Sequence, residues 1–292
     1  MSAFGHIALI GFGEVGQVLA AELAKAGVAD IRAWDIAFDC ADSGPSRALA
    51  QHQIHAAKSA DQAVSGADLV ISAVTAAQNL CAAKSVAAAI DQGAFYLDLN
   101  SCSPGQKRAS AAMIEGGGGI YVEAAVMSPI EPNRIASPML LGGSQASAFL
   151  ERALSLGFTN AKVYADEIGK AAATKLCRSV IIKGVEALLT ESLLAARHYG
   201  VEQVVLASLS DLLPLPDWNA TAHYMISRSL EHGARRAEEM REAAQTVAEA
   251  DVTPLMSLAI AERQDWASNH MAALNPDLGA MLAAIIKDME KQ

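Results

Sequence analysis

The chain has 292 residues, 52% of them hydrophobic and 18% charged, with a net charge of -10. That length supports a substantial core in one large domain or two moderate ones. The acidic balance argues against a nucleic-acid partner, which needs a basic stripe, and no apolar run approaches the roughly 20 residues that cross a bilayer, so no membrane partner is expected.

The N-terminal MSAFGHIALIGFGEVG has an apolar stretch without a basic flank and runs straight into a glycine motif, so it reads as a first strand and not a signal peptide. Short β-rich runs (HIALIG, IRAWD, LVISAV, FYLDL, IYVEAAV) then alternate with Ala-rich helical stretches, the βαβ rhythm of a doubly wound parallel sheet. MLLGGS (139–144) and AKVYA (161–165) predict two more strands, with a helix over QASAFLERALSLG between them. GGGG (116–119) reads as the loop before strand IYVEAAV. After Ala165 the rhythm changes. Helix formers dominate from Glu167 to about His198, interrupted only by Gly169 and Gly184. VEQVVLASLSDLL, the long run from Thr221 to Ala250, TPLMSLAIAERQDWASNHMAAL and LGAMLAAIIKDMEK are helical too. Pro214, Pro216, Pro254 and Pro276 fall in the breaks, where proline starts a helix but cannot continue one. The expected fold class is α/β: a Rossmann-type doubly wound parallel sheet over residues 1–165, followed by an all-α domain over 166–292. The four cysteines (Cys40, Cys81, Cys102, Cys177) lack Cys-x-x-Cys spacing, which predicts reduced thiols, a cytoplasmic location and no metal site.

The segment Gly11-Phe12-Gly13-Glu14-Val15-Gly16 lies between a predicted strand and a predicted helix. Its glycines suit a tight turn, backbone approach to a pyrophosphate and close helix–strand packing, with the helix N-terminus facing the phosphates. Asp35 ends the second strand 19 residues past Gly16, where a carboxylate accepts hydrogen bonds from ribose hydroxyls and repels a 2′-phosphate. NAD is therefore the expected cofactor, with NADP open through Arg32 or Arg47. By the switch-point rule for open α/β sheets, two more strand ends border the nicotinamide. They offer Val74 and Thr75, and Asn100 and Ser101. The other role open to Asn100 and Ser101 is capping of the helix that starts at Pro104.

A Rossmann domain followed by a long helix with a lysine near its start resembles the β-hydroxyacid dehydrogenase superfamily, which includes 6-phosphogluconate and 3-hydroxyisobutyrate dehydrogenases and has imine reductases as relatives. The glycine signature carries the resemblance first. Asn100-Ser101 is similar to the Asn-Ser pair of 6-phosphogluconate dehydrogenases, and Gly169-Lys170-Ala171-Ala172-Ala173-Thr174-Lys175 resembles the helix entry that ends in the catalytic lysine. The run HGARRAEEMREAAQTVAEADVTPLMSLAIAERQDW resembles a phosphogluconate-dehydrogenase type C-terminal domain. The resemblance implies a small hydroxy-acid substrate, Lys175 as general acid/base, and a second half that binds substrate and completes the site as a homodimer. Three departures stand out. Ser179 replaces an asparagine that many relatives carry four residues after the lysine. Glu123-Ala124-Ala125-Val126-Met127-Ser128-Pro129 replaces Asp-Ala-Pro-Val-Ser-Gly-Gly, so the Gly-Gly that binds a substrate carboxylate is missing. Glu238-Glu239 replaces a Lys-Asp pair.

At 100° per residue, Lys175 and Lys183 point about 80° apart and lie about 12 Å apart along the helix, so one reacting carbon cannot be served by both. Lys175 is the catalytic candidate. Lys183 is expected to be structural, paired with Glu186 at i+3. Lysine titrates near 10.4 in water and needs burial or a neighbouring cation to act as a base; Arg178 supplies a cation at i+3. Arg178 is equally a bidentate anchor for a substrate carboxylate, with Arg235 and Arg236 as competitors. Ser128 and Ser179 are candidate hydrogen-bonding neighbours of the substrate, and His223 and His232 sit near the arginines. The expected activity is hydride transfer between the nicotinamide and C3 of a hydroxy acid. Its rivals are an imine or ketone reductase of the same superfamily and a nucleotide-binding sensor without turnover.

Overall fold

The computed structural model describes residues 4–52, 54–209 and 217–290. The chain forms two compact units, Met1–Lys175 and Leu176–Gln292.

The first unit is built on one eight-stranded sheet in the order β3-β2-β1-β4-β5-β6-β7-β8. Its strands are β1 (His6–Ile10), β2 (Asp30–Trp34), β3 (His55–Ala56), β4 (Leu69–Ser72), β5 (Phe95–Asp98), β6 (Ile120–Val126), β7 (Met139–Gly142) and β8 (Ala161–Ala165). Every neighbouring pair is parallel except β6 with β7. Six helices accompany the sheet: α1 (Glu14–Lys25), α2 (Gly44–Leu49), α3 (Ala60–Val64), α4 (Asn79–Val86), α5 (Pro104–Gly116) and α6 (Ala146–Ala153). The central strands β1, β4 and β5 are buried at every position, as a parallel sheet covered on both faces requires. Successive residues point to opposite faces. Ile7 and Leu9 accordingly join one core with Phe95 and Phe149, whereas Ala8 and Ile10 join the other with Tyr96 and Ile114. All seven expected strands form. The unforeseen one, β3, has two exposed residues at the sheet edge, too few to carry a period.

A seventh helix, α7 (Lys170–His198), starts in the first unit and runs into the second. The second unit adds α8 (Glu202–Leu209), α9 (Trp218–Ala248), α10 (Leu255–Ser268) and α11 (Leu278–Met289). Asp217 and Asp277 cap α9 and α11 by accepting from the backbone N–H of Ala220 and Ala280. Leu193, Leu206, Trp218, Ile226, Leu230, Met281 and Ile285 form the main core of this unit. Pro214 and Pro216, and the end of VEQVVLASLSDLL, lie outside the described residues. Gly184 does not interrupt α7 as the sequence suggested. The helix passes through it, and the missing side chain admits Ile260 of α10, whose Cδ1 would stand 3.3 Å from an added Cβ. Among the described residues, no helix is long and apolar enough to cross a membrane.

Two helical glycines of the second unit carry opposite expectations. A Cβ at Gly233 would collide with the Gln264 carbonyl of α10 and stand 2.9 Å from the Ser268 backbone nitrogen. Gly233→Ala should therefore cost at least about 2 kcal/mol by overpacking rigid backbone. Gly184→Ala meets only the end of a side chain, and the gain of about 1 kcal/mol in helix propensity offsets the contact. Urea denaturation of the two variants measures the difference.

Candidate active site

The turn after β1 is shaped mainly by atoms that are missing. Gly11 has φ +95°, and an added Cβ would collide with the Ala73 carbonyl at the end of β4. A Cβ on Gly16 would collide with the Gly11 carbonyl, so α1 packs against the turn only because that atom is absent. A Cβ on Gly13 would meet nothing within 4 Å. Gly13 is exposed and stands at the N-cap of α1 without a side-chain cap, so the first N–H groups of the helix open toward solvent. This is a cradle with room for a pyrophosphate, at the point where the strand order reverses between β1 and β4. The residues present fit a dinucleotide. Phe12 is buried in the core with its ring against Phe38 and His52. Its N–H donates to Asp35 Oδ2 at 2.7 Å, and Asp35 Oδ1 accepts from Ala37 N–H at 2.8 Å. Asp35 thus ties the glycine turn to the end of β2 and keeps a free lone pair on each oxygen. Glu14 is exposed and Val15 half-buried in the first turn of α1. Arg32 and Arg47 are both engaged locally: Arg32 with Asp30 and the Ser65 carbonyl, Arg47 with the Asp42 carbonyl.

The ends of β4 and β5 are stitched together by one amide. Asn100, 3% exposed, accepts from the Val74 N–H through Oδ1 at 2.7 Å and donates from Nδ2 to Ser72 Oγ and Asn79 Oδ1, each at 2.9 Å. Thr75, just beyond, is exposed. Neither Asn100 nor Ser101 caps the next helix. Ser103 does, accepting from the Gln106 N–H, with Pro104 in the first turn. Ser101 instead accepts a hydrogen bond from Lys175 Nζ at 2.5 Å, and both residues are half-buried. This contact joins the residue after the β5 turn to the second turn of α7. Ser128 is half-buried after β6 and donates to the Pro129 carbonyl. Pro129 has no N–H to offer a ligand, and Ile130 is buried.

Beneath these groups lies a buried polar cluster that sequence reasoning missed. Asp98 is fully buried. It pairs with Lys107 Nζ at 2.8 Å and accepts from Tyr121 Oη at 2.5 Å and from the Asn100 N–H at 2.8 Å. Burial alone would lower the Lys107 pKa; Asp98 and other buried neighbours outweigh it, and the pKa is raised. Burial and then Asp98 push the Tyr121 phenol well above its ordinary value. Glu123 is also fully buried. Its Oε1 accepts from the Ala171 N–H at the start of α7 at 2.9 Å, and its Oε2 has no hydrogen-bond partner among the described residues. Burial raises its pKa against the opposing pull of Lys107 and the helix-start N–H groups. The available signal was an acidic residue inside an otherwise apolar strand, in FYLD and again in IYVEAAV.

A family model described as the NAD binding domain of 6-phosphogluconate dehydrogenase matches residues 6–155. The chain belongs to the β-hydroxyacid dehydrogenase superfamily. A second family model, a domain of unknown function (DUF1932), matches residues 196–267. Among solved structures, a conserved hypothetical protein from Sinorhizobium meliloti 1021 is 34% identical over 97% of this chain and 96% of its own, with a TM-score of 0.75. MTH1747, a conserved protein of unknown function structurally similar to 3-hydroxyacid dehydrogenases, is 30% identical over 90% of this chain and 97% of its own, with a TM-score of 0.69. The Mycobacterium tuberculosis 3-hydroxyisobutyrate dehydrogenase, solved with L-serine, shares the fold at 21% identity over 98% and 99% of the two chains, with a TM-score of 0.72. No curated protein matches the chain. The superfamily binds NAD or NADP, and residues 6–155, which the NAD binding domain model matches, include the glycine turn.

In the second unit, the expected salt bridge of Lys183 is made with a different partner. Lys183 Nζ pairs with Glu239 of α9 at 2.6 Å and not with Glu186. Glu186, the i+3 residue, is buried and its carboxylate is held instead by Arg236 and by Gln264 Nε2 at 3.1 Å. Burial raises the Glu186 pKa against these partners. That ion pair takes Arg236 out of the competition for a substrate anion. Arg178 and Arg235 are exposed, and Ser179 is half-buried. His223 Nε2 contacts the Asn275 carbonyl, and His232 is half-buried beside Glu231.

The glycine turn separates folding from binding. Gly13→Ala should leave the thermal midpoint unchanged, because its Cβ meets nothing. It should weaken NADH binding by about tenfold or more, because that Cβ fills the cradle. Fluorescence titration with NADH, beside a thermal melt of the free protein, checks both.

Proposed function

We propose that the protein is an NAD-dependent dehydrogenase that oxidises the C3 hydroxyl of a small 3-hydroxy acid, with Lys175 as the general acid/base. The observation that carries this reading is the 2.5 Å contact between Lys175 Nζ and Ser101 Oγ. It sets an amine against a hydroxyl just beyond β5, next to the β4 end that Asn100 joins to it, which supports a site where an alcohol gives up its proton. The bound nicotinamide supplies the acceptor for the hydride that leaves C3. Lys175, as the free amine, takes the hydroxyl proton while the carbonyl forms, and as the ammonium it returns that proton in the reverse direction. Ser101 holds the lysine and shares the proton's path. Ser128 adds a hydroxyl for the substrate.

Recognition of the acid group is assigned to Arg178 and Arg235, because an exposed guanidinium matches a carboxylate in a two-point contact. Ser179 is assigned as a short hydrogen-bonding neighbour of the same substrate. Pro129 offers no backbone donor, which favours a substrate held by these side chains and not by backbone N–H groups of the loop after β6. Asp35 favours NAD over NADP, since its carboxylate would repel a 2′-phosphate. Residues 1–165 would bind the dinucleotide, and residues 166–292 would bind substrate and pair two copies into a homodimer.

Turnover of a panel of 3-hydroxy acids, followed as NADH formation, tests the reading. Lys175→Ala should lower kcat by about 10²- to 10⁴-fold, the worth of a positioned acid/base, with NADH affinity unchanged. Substrate-dependent NADH formation that survives in this variant would overturn the role of Lys175. Thermal stabilisation by NAD should exceed that by NADP at equal concentration.

A further inference from the structure

Two buried carboxylates stand side by side at the end of the sheet. Asp98 of β5 and Glu123 of β6 are register partners in a parallel pair, so their side chains leave the same face. Neither is exposed, and the charge of Lys107 reaches both. Such a cluster contributes little stability that apolar side chains of the same volume would not match. Its geometry is more informative. Each carboxylate holds one arm of the Lys175–Ser101 contact. Asp98 accepts from the N–H of Asn100, the residue before Ser101, and Lys107 also donates to the Asp98 carbonyl at 3.1 Å. Glu123 accepts from the N–H of Ala171, one helical turn before Lys175. Gly142, opposite Glu123 on β7, leaves the space this requires: a Cβ there would collide with the Glu123 carboxylate.

The geometry points to Glu123 as a positioning residue for Lys175. It holds the first turn of α7 from below through one buried acceptor, while Asp98 and Lys107 hold the Ser101 end, so a single cluster sets the separation of Nζ and Oγ. This rests on the reading of Lys175 as the acid/base. The acceptor oxygen is what matters, and three variants isolate it. Glu123→Gln retains both the oxygen and the volume, Glu123→Leu retains only the volume, and Gly142→Ala displaces the carboxyl group from the opposite strand.

Two readouts apply. The first is kcat against KM with the best substrate of the panel. The second needs no substrate: the acylation rate of Lys175 in the free enzyme, measured by mass spectrometry against exposed Lys25 in the same tube. Glu123→Leu and Gly142→Ala should lower kcat by about 10- to 100-fold, the cost of a misplacement of about 1 Å. Their KM for NAD should not change, and Lys175 should be acylated faster once it is released from Ser101. Glu123→Gln should restore both readouts. A folded Glu123→Leu protein with wild-type kcat and wild-type Lys175 labelling overturns the inference, and so does a Glu123→Gln protein as impaired as Glu123→Leu in both readouts. If Glu123→Leu does not fold, Gly142→Ala and Glu123→Gln decide on the same criteria. Full turnover in Lys175→Ala would remove the acid/base reading and leave the labelling result standing. An inactive Lys175→Ala beside an unchanged Glu123→Leu would remove this inference alone.

Discussion

Asp98 and Lys107 are oppositely charged, hydrogen-bonded and almost wholly withdrawn from water, and the C-terminal edge of the sheet is arranged around that pair. A carboxylate at the end of β5 without its lysine would be several kcal/mol too costly to bury. Helix α5 must therefore pack where its fourth residue reaches the strand, and the tight Ser103–Pro104 start of α5 makes this possible. The same carboxylate turns the chain at Asn100, and Asn100 in turn bonds to the end of β4. From there the constraint passes to the Ala73 carbonyl, which sits where a side chain on Gly11 would have to go. One buried charge pair thus connects, by successive contacts, to the glycine turn.

The two halves of the candidate chemistry rest on opposite physical devices. The candidate cofactor cradle is made by absent atoms: no Cβ at Gly11, Gly13 or Gly16, and no side-chain cap at the start of α1. Such a cradle serves many reactions, because it recognises a pyrophosphate and nothing about the substrate. The Lys175–Ser101 contact is made by groups present in a fixed geometry, and in the proposed function it carries the particular chemistry. In the loop after β6 the proline removes a backbone donor and Ile130 is buried, so the proposed function draws on that loop only through the Ser128 side chain.

Seven of the strands and the helical second half were legible because they rest on local patterns. LVISAV and FYLDL are apolar apart from Ser72 and Asp98, close to what strands buried on both faces require, and the glycine signature needs only a strand before it and a helix after it. The place of Lys175 near the start of a long helix was legible for a similar reason, since it is a matter of sequence distance. The partners of charged groups were not. Lys183 reaches Glu239, 56 residues away, while the nearer Glu186 is claimed by Arg236 and Gln264. Gly184 reads as a helix breaker, yet it is a contact point for Ile260 within an unbroken helix.

The sequence by itself determined the Rossmann-type alternation, the helical second half, the glycine turn and the separation of Lys175 from Lys183 along one helix. Each depends on the period of side chains along the chain or on the steric needs of a few consecutive residues. Tertiary structure alone decided what Asn100 bonds to, which serine caps α5, and that Glu123 stands under the helix that carries Lys175. Those outcomes depend on which strands lie side by side, and on burial that makes each buried polar atom seek whatever partner the fold brings within 3 Å.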